Sequence, residues 1–446
     1  MSNPDSKISN LIERPVSRRT ILKTGAAASL ATGIAGVGLK TSKVFAAPTV
    51  LQSGPVEITY RTWFMQEPGR QDAWKWLMDK FNAEQTAIKI SPIGGAFTDY
   101  SNNVVTELQA GKLAGDLIQT TPDLVLRLLK AGVLTPLGSV LKANNITTLS
   151  PAHKYITDAN GEPLGLDVVT VVFGLIYNKA VFDKAGITAF PTTVEDWLAI
   201  STKLTTRPNQ FGMASPHLLS EPGDFWFTLQ DWATPFDGTW ATGKKPNLTT
   251  DPIIKTIKLF KQFYDATFPQ GTDGATTTKL FANGQIAQSL AVSAAVNSFK
   301  ATAPEIYPSI RSYPLPWASK KSVQRIHPIT VNNTGKHVAE ATEFVTWLYK
   351  PENYRELLTR QLDVIPSYEV GGLDAYFKDI LWLDGYKNIT PITPPEMMGD
   401  FIYNNDEFGA IVMPHVQDVL NGTASAEDAM TAAQTEAEAL AGRLES

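Results

Sequence analysis

The sequence contains no cysteine. Disulfides, thiolate metal sites, a cysteine nucleophile and a lipid anchor on an N-terminal Cys are all excluded. Histidine is scarce: His153, His217, His327, His337 and His415 are the full set. No two of them stand at the spacing of a metal-binding helix, and H-E-x-x-H is absent. There is no P-loop and no G-x-S-x-G elbow. No long apolar run follows residue 46, so no transmembrane helix is expected. Basic clusters are lacking outside the N-terminus. The whole chain carries −5; residues 1–46 contribute +5, which leaves −10 on the rest. That balance argues against nucleic acid or an anionic membrane as partner. Internal repeats and low-complexity linkers are also absent. No cofactor and no metal are expected.

The N-terminus is rich in what the rest lacks. Ser17-Arg18-Arg19-Thr20-Ile21-Leu22-Lys23 precedes an uncharged Ala/Gly-rich run from Thr24 to Leu39. A basic start, a mildly apolar middle and a small-residue site at Val44-Phe45-Ala46 describe a twin-arginine export signal, residues 1–46, with Arg18 and Arg19 as its signature. The run is shorter and more polar than the ~20 apolar residues a membrane span needs. Gly33-Ile34-Ala35-Gly36-Val37-Gly38 lies inside this signal and follows no strand, so it is no nucleotide loop. The remaining chain is expected in the periplasm, and it is long enough for two domains with their own cores.

Beyond the signal, hydrophobic periodicity alternates between strand and helix. Val56 to Tyr60 is β-branched and alternating, a strand pattern. Ala73, Trp74, Leu77, Met78 and Phe81 follow at helical spacing. Ala87–Ile93 and Asp116–Gln119 read as short strands. Thr121-Pro122-Asp123 opens a helix with a capping hydroxyl, a proline and an acid in the first turn. This alternation predicts an α/β fold with a mainly parallel sheet. Leu166 to Tyr177 reads as one long strand, suited to a chain crossing between two lobes. Thr192 with Glu195 has the pattern of a capping box. Asp251 to Phe263, Glu340 to Arg360 and Ala424 to Arg443 read as helices.

Several blocks, in order, resemble the family 1 extracellular solute-binding proteins of ABC importers, whose members mostly bind sugars. They are Ala131 to Leu137, Gly161 to Leu166, and Leu175-Ile176-Tyr177-Asn178-Lys179 running on to Lys184-Ala185-Gly186. Pro191-Thr192-Thr193-Val194-Glu195-Asp196-Trp197 follows, then Phe281-Ala282-Asn283-Gly284 and Glu340 to Phe344. The resemblance implies a type II periplasmic-binding-protein fold: two α/β lobes joined by hinge strands, with solute in the cleft. The first lobe would be residues 50–168 and 330–375, the second 169–329 and 376–446. Crossings would fall near Asp167 to Val172 and near Gln324 to Thr330. The implied mechanism is hinge closure around a ligand, followed by delivery to ABC permease subunits. The twin-arginine translocase would be the partner during export, and the mature protein a monomer without enzymatic activity.

Ligands of open α/β sheets bind at the carboxyl ends of strands. That rule selects Trp63 and Phe64 after the first strand, Phe97, Asp99 and Tyr100 after the second, and Thr120 and Thr121 at a helix N-terminus. Asp167 and Thr170 come from the hinge, where Asp167 has a second reading as acceptor of hinge backbone bonds. The resemblance adds Phe225, Trp226 and Trp232. Such aromatic and acidic side chains suit a sugar, whose C–H faces stack on rings and whose hydroxyls bind carboxylates. Asp99 has a second reading as the cap of a helix starting near Tyr100. Where relatives place a Trp after the strand that follows Gly284, this chain has Ser293 and Asn297. Arg325 and His327 stand where relatives carry small residues, and Arg325 could fork onto an anion. An anionic polyol is therefore one alternative ligand, and an exported glycoside hydrolase with two carboxylates is another class of function.

Overall fold

The computed structural model describes residues 54–67 and 70–444, apart from the side chains of Thr98 and Ala294. The expected export signal lies outside the described residues. The strands are β1 Val56–Arg61, β2 Ile88–Ile93, β3 Leu117–Gln119, β4 Leu166–Val171, β5 Phe173–Asn178, β6 Ala241–Thr242, β7 Lys245–Pro246, β8 Gln288–Val292, β9 Ile310–Tyr313, β10 Lys321–Val323, β11 Arg325–Val331 and β12 Thr390–Ile392. They form two principal sheets. The first has the order β2-β1-β3-β11-β4 and the second β8-β5-β9. In the first, β1 runs parallel to β2 and β3, while β11 is antiparallel to both β3 and β4. The second sheet is antiparallel throughout.

Each sheet carries its own helices and core. The helix Arg70–Glu84 buries Ala73, Trp74, Leu77, Met78 and Phe81, the stripe its periodicity foretells. It packs against β2 and the helix Pro351–Arg360. Around the second sheet, the helices Pro222–Trp232, Asp251–Thr267, Asn405–Asn421 and Ala426–Arg443 enclose a core rich in Phe and Trp. No helix among the described residues is long and apolar enough to cross a membrane.

The long strand expected over Leu166–Tyr177 is two strands in different sheets. Val172 separates them, and its neighbours Val171 and Phe173 belong to the first and second cores. All residues of both strands are buried on both faces, so their continuous apolar run gives no sign of the break. The first body therefore extends past residue 168 to Val171. It also regains the chain at Arg325, because β11 pairs with β3 and β4. Tyr376 and Phe377 of the helix Asp374–Lys378 pack against the first core and against a third cluster around Val172, Ile176 and Trp382. Two local expectations also change. Thr193, not Thr192, caps the helix Val194–Lys203, accepting from the Asp196 N–H. The second helix of the first body begins at Phe97, so Asp99 sits in its first turn and is not its cap.

Candidate functional site

The carboxyl end of β1 turns into a short 3-10 helix, Phe64–Gln66, whose first N–H is held by the Thr62 hydroxyl at 3.0 Å. Trp63 is buried beside it. Its ring meets Phe64 at 4.9 Å, Tyr100 at 4.9 Å, Phe97 at 5.3 Å and His327 at 6.0 Å. The Tyr100 hydroxyl stands 2.9 Å from the Arg61 carbonyl and 2.7 Å from that of Gln119, which ties β1 to β3. Phe64 and Tyr100 are thus core residues. Phe97, at 54 % exposure, is the member of this aromatic group left open to solvent, and Asp99 is exposed too. Thr120 donates to the Pro328 carbonyl and Thr121 accepts from the Leu124 N–H. The helix N-terminus expected to hold a ligand is capped by its own chain.

At the hinge, Asp167 is fully engaged. Its carboxylate accepts from the N–H of Val169 at 3.0 Å, the N–H of His327 at 2.8 Å and the Thr170 hydroxyl. Its own N–H donates to His153 Nε2 at 3.1 Å, and Tyr349 donates to its carbonyl. Burial pushes the Asp167 carboxyl up to about 7, against the pull of these hydrogen bonds. Asp167 and Thr170 therefore set the geometry of the hinge strands. Burial, and then the charge of Arg70, hold His327 down at about 4, a neutral ring.

The aromatic helix Pro222–Trp232 turns most of its rings inward. Phe225 and Trp232 have no exposed surface. Trp232 stacks on Trp197 at 5.2 Å and donates to Ser215 Oγ at 3.1 Å. Trp226 packs on Trp240 and beneath Gly409, where a Cβ would lie 2.5 Å from the indole Cγ. These three rings form the second core. Phe227 alone among this helix's aromatics packs against both cores.

Over Phe227 lies Arg325, its guanidinium carbon 3.7 Å from the ring centroid. Arg325 also donates to Gln230 Oε1, and its Nη1 has no hydrogen-bond partner among the described residues. Asp123, Asp231 and Tyr155 supply the electrostatic surroundings; burial lowers the guanidinium to about 10. Asp231 accepts from the Ser322 hydroxyl and the Val323 N–H on one oxygen, and its other oxygen is unpartnered. Across from this group, the Asn405 side chain joins the two bodies. Its Oδ1 accepts from Trp226 Nε1 at 2.9 Å and Gln230 Nε2 at 2.7 Å, while its Nδ2 donates to Asp123 at 3.3 Å. Beside it Arg127 and Asp406 pair at 3.5 Å. Burial, with the neighbouring Asp406 charge, raises the Asp123 carboxyl to about 6. A pocket of ≈ 190 Å³ opens here between residues 123–130 and 402–407.

A second polar group also bridges the bodies. Ser293 and Asn297 lie one turn apart on the helix Ser293–Thr302, which follows β8 and packs against β4. Asn297 Nδ2 donates to the Leu362 carbonyl, in the turn after the helix Pro351–Arg360. No group of three or more His, Asp or Glu able to hold a metal occurs among the described residues.

Residues 76–378 match the family of bacterial extracellular solute-binding proteins, more than half of the chain. The chain belongs to that family. The fold comparisons agree. An ABC transporter solute-binding protein of Thermotoga lettingae TMO, with α-D-tagatose bound, superposes with a TM-score of 0.73 at 18 % identity, over 86 % of this chain and 100 % of the other. Maltose-bound MalE3 of T. maritima gives 0.72 at 15 %, over 86 % and 100 %. A solute-binding protein of Agrobacterium radiobacter K84, in complex with ribitol, gives 0.68 at 18 %, over 87 % and 99 %. Identities this low show the shared fold, that of type II periplasmic binding proteins. No curated protein sequence matches the chain at a significant level.

In this solute-binding protein the expected site residues separate into two sets. Trp63, Thr170, Asp167 and His327 gather around the pair β4 and β11, and Ser293, Asn297 and Arg325 reach the junction of the two bodies. Phe64, Tyr100, Thr120, Thr121, Phe225, Trp226 and Trp232 are occupied in structure, and Phe97 and Asp99 lie outside. The sequence reading missed Asp123, Phe227, Gln230 and Asn405. Asp123 carried a signal, but as the first-turn acid of a helix. Phe227 lies off the buried residues of its helix, and that offset was the available clue; Gln230 is buried with them and gave no such sign. Asn405 had none.

Proposed function

We propose that this protein captures a carbohydrate or polyol outside the cytoplasm and delivers it to an ABC permease by closing its two bodies around the ligand. The observation that carries this reading is the junction itself. Arg325, Phe227, Gln230, Asp123 and Asn405 bring an aromatic face, a guanidinium, two amides and a carboxylate together from both bodies. Rings for C–H faces and charge-assisted bonds for hydroxyls are the chemistry of polyol recognition. Its structural neighbours with tagatose, ribitol and maltose support the same class. Closure then needs no covalent change: the strands would bend at Val172 and beside Arg325, while the Asp167 hydrogen bonds keep β4 and β11 in register.

An anionic ligand is the weaker reading. Arg325 already donates to Gln230 and is flanked by Asp123 and Asp231, so an incoming anion meets two acids. The family consists of binding proteins, and the site residues have the role of holding solute, not of cleaving it. Residues 1–46 would direct export by the twin-arginine route, with cleavage after Ala46.

Thermal-shift screening of residues 47–446 against neutral sugars, polyols and acidic or phosphorylated sugars tests this. Ligand that binds only the folded state raises its stability by about RT ln(1 + [L]/Kd). A shift with a neutral sugar or polyol is expected. Silence across the neutral members would sink the carbohydrate reading.

A further inference from the structure

The junction holds more unpartnered acceptors than donors. Asp363 is 1 % exposed, and neither carboxylate oxygen has a hydrogen-bond partner among the described residues. Ser293 Oγ and Asn297 Oδ1 are buried and unpartnered as well. These atoms are neighbours through one contact. Asn297 Nδ2 is tied to the Leu362 carbonyl, which precedes Asp363, and Ser293 stands one turn back on the same helix face. The backbone at Leu362 is left-handed, with φ 59°, a conformation a branched apolar residue rarely takes unless its surroundings require it. The nearby Gln361 amide spends one Nε2 hydrogen on the Val168 carbonyl; the amide also faces the Asp363 carboxylate, outside close hydrogen-bond geometry. Buried polar groups are ordinarily paired, and three in one place without partners mark a spot completed by something else.

We propose that Asp363, Ser293 and Asn297 form a subsite that reads hydrogen-bond donors, and that it takes two adjacent hydroxyls of a neutral polyol. The assignment rests on the carbohydrate reading above and names which end of the ligand it concerns. A carboxylate has two acceptor oxygens matched to a vicinal diol. Ser293 and Asn297 come from the second body and Asp363 from the first, so a ligand bound to all three holds the bodies together. The charges around Asp363 are Arg70, Asp167 and Glu67, one cation against two further acids, which disfavours an anion. A pocket of ≈ 680 Å³, in the size range of small-molecule sites, opens next along the chain; the three residues themselves are not in its lining. Val364, next to Asp363, lines it. So do Phe377 and Tyr386, whose rings suit C–H faces; the Tyr386 hydroxyl bonds to Ala291, two residues before Ser293. Lys378 and Lys387 also line it, and Lys387 pairs with Asp384 at 2.6 Å.

The test starts with wild-type protein and D-mannitol, ribitol, D-tagatose, maltose, glucosamine and glucose 6-phosphate in calorimetric titration. The tightest neutral binder is then titrated into D363N and S293A. D363N keeps the shape, and its unliganded melting temperature should equal or exceed the wild-type value. Its affinity for the polyol should fall at least tenfold, and S293A should lose less. Deoxy analogues of that polyol supply the second measurement. One of them should bind wild type at least tenfold more weakly than the parent, and D363N should no longer distinguish the two. Wild-type affinity in D363N overturns the subsite and leaves the carbohydrate reading standing. Binding of glucose 6-phosphate alone, or of glucosamine alone, overturns it too. No binding of any neutral member overturns the carbohydrate reading and the subsite with it.

Discussion

Two stretches of this chain invite a functional reading, and they use burial in opposite ways. Phe225, Trp226 and Trp232 are buried with every need met: their rings pack on other rings, and both indole N–H groups are bonded. Ser293, Asn297 and Asp363 are as deeply buried but keep open hydrogen-bonding atoms. A satisfied aromatic contributes to folding whether or not ligand is present. An unsatisfied buried acceptor costs stability until something donates to it. The contrast teaches that unmet buried hydrogen bonds, more than aromatic content, are what our proposal takes as the mark of recognition in this molecule.

The sharpest way to break the comparison is Trp232→Ala. Loss of a large core ring should cost about 3–5 kcal/mol of stability. Urea unfolding would read this, and the fraction still folded should bind ligand with unchanged affinity. A stable variant with weakened binding would return Trp232 to the site. Asp167→Ala comes next, because it leaves two N–H groups and a hydroxyl without their acceptor. We expect a loss of about 3 kcal/mol, in the opposite sense to D363N, whose melting temperature should not fall. If both aspartate variants behaved alike in differential scanning calorimetry, the distinction between engaged and open acids would fail.

A comparable effect lies in pH. Burial lowers His153 to about 4, and its neutral Nε2 accepts the Asp167 N–H. The unfolded histidine titrates near 6.5, so its contribution is fully present above that pH. It is lost as pH falls from about 6.5 to about 4, by up to about 3 kcal/mol. Asp167, Asp231 and Asp363, each raised to about 7, act oppositely: the folded state takes up their protons first, which favours it as pH falls. Stability measured against His153→Asn across this range isolates the histidine. A constant difference between the two proteins would contradict the assignment. The smallest effect belongs to Phe97→Ala, a surface change expected to stay within about 0.5 kcal/mol by the same unfolding assay.

The α/β alternation was legible because each element announced itself locally. The stripe Ala73, Trp74, Leu77, Met78, Phe81 and the cap at Thr121-Pro122-Asp123 both appear in the structure as read. The hinge acid Asp167 was found, and one of the two readings open for it, acceptor of hinge backbone bonds, matches its bonds from Val169 and His327. A carboxylate in an apolar run says only that something must satisfy it, and here the backbone of the neighbouring strand does so. On the aromatic helix the rings chosen were Phe225, Trp226 and Trp232, which stand with Leu229 at core spacing, while Phe227 is the one over which Arg325 lies. Asp363 and Asn405 were invisible for a different reason. Each lies in or beside an irregular segment, and its partners are brought to it only by later crossings of the chain, with no local pattern to mark the meeting.

The strand order of the first sheet carries one more consequence. β11 lies between β3 and β4, although both precede it by more than a hundred positions. A nascent chain that has produced β1 to β4 still lacks the strand joining β3 to β4. The first body can therefore close only after residue 331 has left the ribosome, and by then the whole of β5 to β10 has been made. The second sheet has all three of its strands once Tyr313 is made, so the first waits longer, and β4, largely apolar, stays exposed to wrong partners in the meantime.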